Sequence, residues 1–479
     1  MFEVSDLPAP YEMANKHPGV ALGDLDGDGD LDILLAWGWG SGVFLNDGSG
    51  RFELTDSLDV DGVPLPPGRS AALADLDGDG DLDAHVGTFL GLNDLVLRND
   101  GTGVFAVEEV ADSAQNTWSA QVGDLDGDGD LDIITGTFDA PFDPAAIMGG
   151  VRGGGPAVFF QNEPGEFVRR NEAIPEAVAG SLTIEAALLD ADQDGDLDVF
   201  LANDFGPYVV PNALLLNDGS GNFAVAEGCG CSTAMYAMGA GVGDLDDDGV
   251  ADLYVSNVGP TLVLRGLGDG TYIDVGEATG ATIPASTTSM TSWAVEIVDV
   301  DRDSCSDILV TYGALGQAGQ AILTQLESAE DDWVDGLEQH DALLRGDCEG
   351  HFVRDETSGF GSVDRTRALA VGDLNGDLRP DVVTAGKFFL RIFLAGGGCP
   401  SGVVVTLQDG IGARVTVEAG GREVTRWMLP GNTASSSAEE LTFGLGTLDS
   451  ADRIVATWPD GSTVVAEDVP SGTRVHLER

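Results

Sequence analysis

Seven near-copies of one acidic nonapeptide, an apolar run after each, and Gly-rich hairpins ending in an aromatic residue together predict an all-β chain. The architecture they predict is a seven-bladed β-propeller with calcium loops, closed by the N-terminal strand and followed by a small all-β domain. The first copy is Asp24-Leu25-Asp26-Gly27-Asp28-Gly29-Asp30-Leu31-Asp32, with Ile33-Leu34-Leu35-Ala36 behind it. Like charges this crowded hold a loop open in water. A hard divalent cation reverses that cost, because Ca²⁺ takes roughly six to eight oxygens at about 2.3–2.6 Å. Gly at the sixth position permits the sharp turn of the backbone. The loop is not of EF-hand type, since Leu35 stands where a twelfth-position Glu belongs and a strand, not a helix, follows.

Asp75, Asp77, Asp79, Asp81 and Asp83 repeat the pattern, as do Asp124, Asp126, Asp128, Asp130 and Asp132. The fourth copy keeps every carboxylate as Asp190, Asp192, Asp194, Asp196 and Asp198. The fifth keeps Asp244, Asp246, Asp248 and Asp252 but has Val250 at the seventh position. The sixth keeps Asp299, Asp301, Asp303 and Asp307, loses the Gly, and has Cys305 at the seventh. The last is the most degraded, with Asp373, Asn375, Asp377, Arg379 and Asp381. The steps between first aspartates are 51, 49, 66, 54, 55 and 74 residues. A merely solvated acidic run does not recur in phase, whereas solenoids, propellers and arrays do.

Within a unit the order reads strand, acidic loop, strand, turn, strand, hairpin, strand. The hairpin is typified by Asn46-Asp47-Gly48-Ser49-Gly50, rich in residues that tolerate positive φ. The fourth strand begins at an aromatic residue: Phe52, Phe105, Phe167, Phe223, Tyr272 or Phe352. The seventh unit runs from Phe389–Leu394 into a Gly-rich link with no aromatic fourth strand. Phe2-Glu3-Val4-Ser5-Asp6-Leu7 matches Phe52-Glu53-Leu54-Thr55-Asp56-Ser57, so the missing strand is expected at the N-terminus, where it removes an open edge. The expected domains are 1–398 for the propeller and 399–479 for the second unit. Short strands are expected there at Val403–Leu407, Ala413–Glu418, Leu441–Phe443, Arg453–Thr457 and Arg474–Leu477.

The repeats and their Asn-Asp-Gly-x-Gly-x-Phe hairpins resemble the FG-GAP/VCBS repeats also found in integrin α propellers. The tail resembles the ASPIC/UnbV domain of the cartilage acidic protein family through Ile411-Gly412-Ala413-Arg414-Val415, Phe443-Gly444-Leu445-Gly446 and Trp458-Pro459-Asp460-Gly461. The resemblance implies a calcium-binding protein of the cell exterior, often linked to adhesion. It implies that loop positions one, three, five and nine donate side-chain oxygens and position seven its backbone carbonyl. The UnbV name also comes from enediyne biosynthesis clusters, which keeps a biosynthetic tailoring enzyme as an alternative.

The formal charge is −60, from 22 basic and 82 acidic residues, and 32 of those acids lie in the seven loops. Such a surface repels nucleic acid and anionic membranes, which are bound through Lys and Arg. No apolar run approaches the roughly 18 residues of a membrane span. Met1-Phe2-Glu3-Val4 has neither the basic start nor the apolar core of a signal peptide. Weak calcium sites in number suit a calcium-rich exterior, so a mature chain that is extracellular, on the cell surface or periplasmic is expected, as a monomer.

Catalysis finds little support. None of His17, His85, His340, His351 and His476 sits in a HExxH or GxSxG context, and the loops account for most carboxylate pairs. Cys305 and Cys348 are expected on the same end of one blade, either as a disulfide or as two free thiols. Cys229 and Cys231 are candidates for a small ring, leaving Cys399 over. Arg345-Gly346-Asp347 stands in a hairpin where Gly and Asp are common, so a chance triplet is expected rather than a recognition motif.

The expected function is a calcium-stabilised binding or adhesion module for a carbohydrate or protein. The alternative is an enzyme, a lyase, hydrolase or tailoring activity, with its site on one propeller face. Long insertions on a rigid scaffold are where binding concentrates. The inserts of units three, four and six are expected on the face opposite the calcium loops, with Arg152, Tyr208 and Trp333 as ligand contacts. A short helix is expected from Gln320 to Leu337. Trp118, Tyr236 and Trp293 are expected to add aromatic surface there.

Overall fold

The structure is a computed structural model and describes residues 2–8, 17–38, 41–55, 58, 65–139, 147, 157–170, 172–282, 290–313, 339–361, 365–386, 389–396, 401–429 and 431–479. The fold is all-β and propeller-like. Among the described residues seven sheets follow one another along the repeats, six of four antiparallel strands and the first extended to six by Gly431–Asn432 and Ser435–Ser436. In the first, Gly19–Gly23, Asp32–Ala36, Gly42–Asn46 and Phe52–Thr55 are neighbours in that order. The loop's ninth residue opens the second strand in every repeat, from Asp32 to Asp381.

The first strands are almost wholly buried, with runs such as Ala21, Leu22 in the first sheet and Ala186, Ala187, Leu188 in the fourth. They carry apolar residues in both directions because each sheet packs against a neighbour on both faces. Each junction between consecutive sheets holds its own apolar cluster. Leu34, Val43, Ala71, Leu73 and Val86 fill the first junction. The junction of the last sheet with the first is built in the same way, from Ala368, Ala370, Val383 and Ile392 against Val20, Leu22, Ile33 and Phe44.

The seventh sheet takes its outer strand from the N-terminus. Phe2–Pro8 lies antiparallel on Phe389–Ala395, with Phe2 opposite Ala395 and Leu7 opposite Leu390. The Phe2 ring packs on Phe360 and Phe393 at 6.3 and 5.9 Å between centroids. Arg391 forms an ion pair with Asp6 across the two strands.

Beyond Ser401 the chain forms two further sheets. Gly402–Leu407 lies between Leu441–Gly444 and Thr473–Leu477, the latter in parallel. Arg414–Ala419 lies between Arg422–Trp427 and Ser450–Thr457, with Thr463–Pro470 at the edge. The strands Arg422–Trp427 and Thr463–Pro470 are absent from the sequence expectation. The edge strand runs Val464-Val465-Ala466 and then Glu467-Asp468, exposed or half-buried at most positions, so its apolar residues do not alternate. Val403, Val415, Val417, Phe443, Ile454 and Trp458 form the core of this unit.

Between its own strands this unit sends residues 431–438 into the hole lined by the first strands of the seven sheets. Ser436 pairs in parallel with Ala21 of the first sheet. The Ala71 amide of the second donates to the Ala434 carbonyl at 3.3 Å. Asn432 Nδ2 donates to the Leu369 carbonyl at 2.9 Å and to Glu296 Oε2 at 2.6 Å. Ser437 Oγ donates to Glu296 Oε1 at 3.1 Å. Gln121 Nε2 donates to Glu185 Oε1 at 2.7 Å and also faces the Asn432 carbonyl. Gly239 of the fifth sheet meets Thr433 so closely that a Cβ there would strike the Thr433 hydroxyl. Asn432, Thr433, Ser435 and Ser436 are buried. Asn432 Nδ2 and Ser437 are thus held inside the hole by hydrogen bonds that replace those to water, whereas Ser435 Oγ is buried there without a hydrogen-bond partner among the described residues.

Two predictions arise here. Deletion of residues 1–8 exposes the strand Phe389–Ala395 as a bare edge, and a thermal melt with light scattering should show aggregation or a large fall in Tm. Burial pushes the Glu185 and Glu296 carboxyls up to about 8 and about 7. The folded protein therefore holds protons that the unfolded chain releases near pH 4.5, and their stabilising contribution is lost as pH rises towards 8. Replacing both with Gln should flatten the fall of Tm between pH 5 and 8 when calcium is held constant.

Candidate metal centres on one rim

All seven acidic loops lie at the same end of the sheets, joining first strand to second. In loop one Asp24 Oδ1 accepts the Gly27 amide at 2.8 Å and Oδ2 the Gly29 amide at 3.0 Å. Asp28 Oδ1 accepts the Asp30 amide at 3.0 Å. Asp32 bridges outward, taking the Leu25 amide at 2.9 Å and the Asn46 amide of the third strand at 2.8 Å. The wrap requires left-handed backbone at positions four and six, where Gly27 and Gly29 have φ of 75° and 92°. Loop six holds the same conformation with Arg302 and Ser304 at 66° and 82°, and loop seven with Leu378 at 65°. Lost glycines therefore leave the path intact at a cost in backbone strain.

Positions one, three and nine, or one, three and five, bring carboxylate oxygens within 4.8 Å of one another. The groups are Asp24, Asp26 and Asp32; Asp75, Asp77 and Asp79; Asp124, Asp126 and Asp132; and Asp190, Asp192 and Asp194. Oxygens about 2.4 Å from a common ion lie no more than about 4.8 Å apart, so the spacing fits Ca²⁺. Buried Oδ1 atoms of Asp26, Asp190, Asp192 and Asp246 have no hydrogen-bond donor, which leaves lone pairs for a cation. Burial pushes Asp32, Asp132 and Asp198 up to about 7 and Asp190 up to about 6.

Position seven places its side chain away from the loop's other carboxylates in loops one and two. The Asp30 and Asp81 carboxyls instead lie against hairpin glycines Gly48 and Gly101, where a Cβ would meet them at 2.5 and 2.6 Å. Val250, Cys305 and Arg379 hold the same turn, their amides donating to the position-five carboxyls at 3.0, 2.9 and 3.0 Å. Cys305 is joined to Cys348, and Cys229 to Cys231.

Sequence reasoning missed two sets of residues at these loops. Asn46 Nδ2 donates to the Leu31 carbonyl of its own loop and to the Leu374 carbonyl of loop seven, at 3.0 and 2.8 Å. Asn99, Asn162 and Asn217 likewise reach Leu25, Leu76 and Leu125 of the preceding loop. The Asn of these four hairpins, legible only as a turn former, therefore staples adjacent repeats. The second set is Arg98, Arg265 and Arg345, each reaching from a third strand into the loop of its own sheet. Arg345 meets Asp301, Asp307 and Asp355 at 3.1, 2.9 and 3.2 Å, which engages the arginine of the Arg-Gly-Asp triplet internally.

The second domain sits on this rim. Arg422 pairs with Asp247 of loop five, Arg474 with Asp373 of loop seven at 2.9 Å, and Ser304 Oγ of loop six donates to the Gly444 carbonyl at 2.9 Å. Loops five to seven are thus covered by this domain. On the opposite end, Trp118 and Trp293 are buried rather than exposed as expected. His17 lies between their rings at 4.6 and 5.1 Å, and Arg69 and Arg367 stack on the outer faces at 4.2 and 4.0 Å. Tyr208, in the turn after Asn203, is 39% exposed. Arg152, Trp333, the segment Gln320–Leu337 and Cys399 lie outside the described residues.

The model of the FG-GAP-like repeat matches residues 24–86, 91–135, 190–255 and 244–310, and that of ASPIC and UnbV matches 406–479. The chain is therefore a protein of FG-GAP-like repeats followed by an ASPIC/UnbV domain. No curated protein matches its sequence. Similar solved structures include a lectin of Agrocybe aegerita that recognises non-reducing terminal N-acetylglucosamine, at 20% identity and a TM-score of 0.44, covering 71% of this chain and 79% of that one. BBS1N in complex with ARL6DN is similar at 10% identity and a TM-score of 0.48, covering 82% and 97%. An inactive virginiamycin B lyase from Staphylococcus aureus with quinupristin is similar at 9% and 0.44, covering 82% and 99%.

The inter-sheet staple makes a prediction. Asn217→Ala leaves the Leu125 and Leu197 carbonyls without their donor and should cost about 1–3 kcal/mol in denaturant unfolding. Asn222→Ala, on the exposed side of the same hairpin, should change stability by less than about 0.5 kcal/mol.

Proposed function

We propose that this chain is a calcium-stabilised binding module, a closed seven-bladed propeller at 1–398 capped by the domain at 399–479. Its ligand face is the end opposite the calcium loops, and its ligand is a carbohydrate or protein of the cell exterior. The observation that carries this reading is the position of the second domain, which occupies the calcium rim and fills the central hole. Tyr208 and the exposed Leu90 and Leu92 stand on the other end, which that domain leaves uncovered. Glu185 and Glu296, the buried acids a channel enzyme would use, are spent on Gln121 and on Asn432 and Ser437.

Calcium in this reading is structural. Positions one, three, five and nine supply side-chain oxygens and position seven a carbonyl, as in loop one with Asp24, Asp26, Asp28, Asp30 and Asp32. With a Kd near ~10⁻⁴ M and calcium near ~10⁻³ M, each filled site stabilises the fold by about 1.4 kcal/mol. Differential scanning fluorimetry should show a sharp fall of Tm in EDTA, restored by calcium; an unchanged melt refutes the structural role. A glycan array and a panel of extracellular matrix proteins, probed in calcium, test the ligand face. Binding should weaken in Tyr208→Ala while the calcium-dependent melt stays as in the parent, and binding lost only on changes in 399–479 places the site elsewhere.

A further inference from the structure

We propose that Arg98, Arg265 and Arg345 are built-in cations of loops two, five and six, so that calcium concentrates in loops one, three and four. The inference rests on the calcium reading above and divides the loops that reading treats alike. Each arginine stands one residue before the third-strand amide that binds the position-nine carboxylate: the Asn99, Gly266 and Gly346 amides meet Asp83, Asp252 and Asp307. The same place is held by Leu45, Gln161 and Leu216 in sheets one, three and four.

The guanidinium lies among the oxygens an ion would need. Arg98 is 2.6 Å from Asp83 Oδ2 and 3.8 Å from Asp77 Oδ2, positions nine and three. Arg265 is 2.8 Å from Asp246 and 3.1 Å from Asp248, positions three and five. Arg345 is 3.1 Å from Asp301 and 2.9 Å from Asp307, positions three and nine. All three thus engage position three together with a second ligand. A guanidinium is charged at every physiological pH and presents several fixed donors, so it matches a carboxylate pair in a way a leucine cannot. It also repels a divalent ion a few ångströms away while occupying that ion's ligands. The loops so equipped include five and six, two of the three that have lost a carboxylate or the sixth-position Gly. They also include loop two, whose nonapeptide is indistinguishable in kind from loop one.

The test is equilibrium dialysis of the full chain against buffered free calcium, counting ions per chain by elemental analysis. At free calcium where the parent holds about three ions, Arg98→Leu/Arg265→Leu/Arg345→Leu should hold more, the added ions binding on the order of tenfold tighter than in the parent. The same variant should lose more Tm in EDTA than the parent does. Arg98→Leu alone, a single change in an otherwise complete loop, should gain one ion and serves if the triple variant fails to fold. A parent that fills all seven loops equally, or variants with unchanged ion count and affinity, overturns the proposal and leaves the calcium reading standing. No calcium bound by parent or variants sinks the calcium reading and this proposal with it.

Discussion

The interaction on which the molecule depends is the buried aspartate at loop position nine. Its two oxygens take the amide of loop position two and the first amide past the third strand's core, as Asp32 does with Leu25 and Asn46, and Asp381 with Leu374 and Ala395. That bridge fixes where the loop sits over its sheet. It also forces a carboxylate into a dry place in every repeat, with its charged form disfavoured by burial. The neighbouring aspartates at positions one, three and five then stand too close together to be left uncompensated.

The chain meets this charge in three ways, and their distribution gives the molecule two unlike ends. Loops one, three and four offer carboxylate oxygens with no arginine among them. Loops two, five and six receive a guanidinium from their own third strand. Loops five to seven also receive cations from the second domain, through Arg422, Arg426 and Arg474. The second domain is therefore held by the same crowding that defines the repeats. Once it is seated, loops five to seven and the central hole are no longer free surface.

Much of this was legible in the sequence because it is periodic. The nonapeptide fixes strand starts at Asp32, Asp83 and their equivalents, and the pairing of Phe2–Leu7 with the last repeat follows from a match to Phe52–Ser57. What was not legible depends on contacts between residues far apart in the chain. Asn432 sits in a run of Asn, Thr and Ser that has the composition of a linker, and only the hole that receives it makes it a core residue. Arg345 looked like part of a surface triplet because its partners Asp301 and Asp307 lie about forty residues earlier. Trp118 and Trp293 looked like exposed contact residues because nothing local announces that His17 fills the space between them. Arg422–Trp427 was missed as a strand because its register is set by Arg414–Ala419 and not by its own pattern.

The outer strand of the last sheet and the segment inside the hole impose an order on folding. Phe2–Pro8 is made well before its partner strand Phe389–Ala395, and the hole is filled by residues 431–438. Early sheets form from local hairpins while the chain is still growing. The outer pairing of the last sheet and the central filling therefore wait until residues 389–395 and 431–438 have been made. A ribosome-bound nascent chain of this protein therefore has a bare edge and an unfilled axis until those residues emerge.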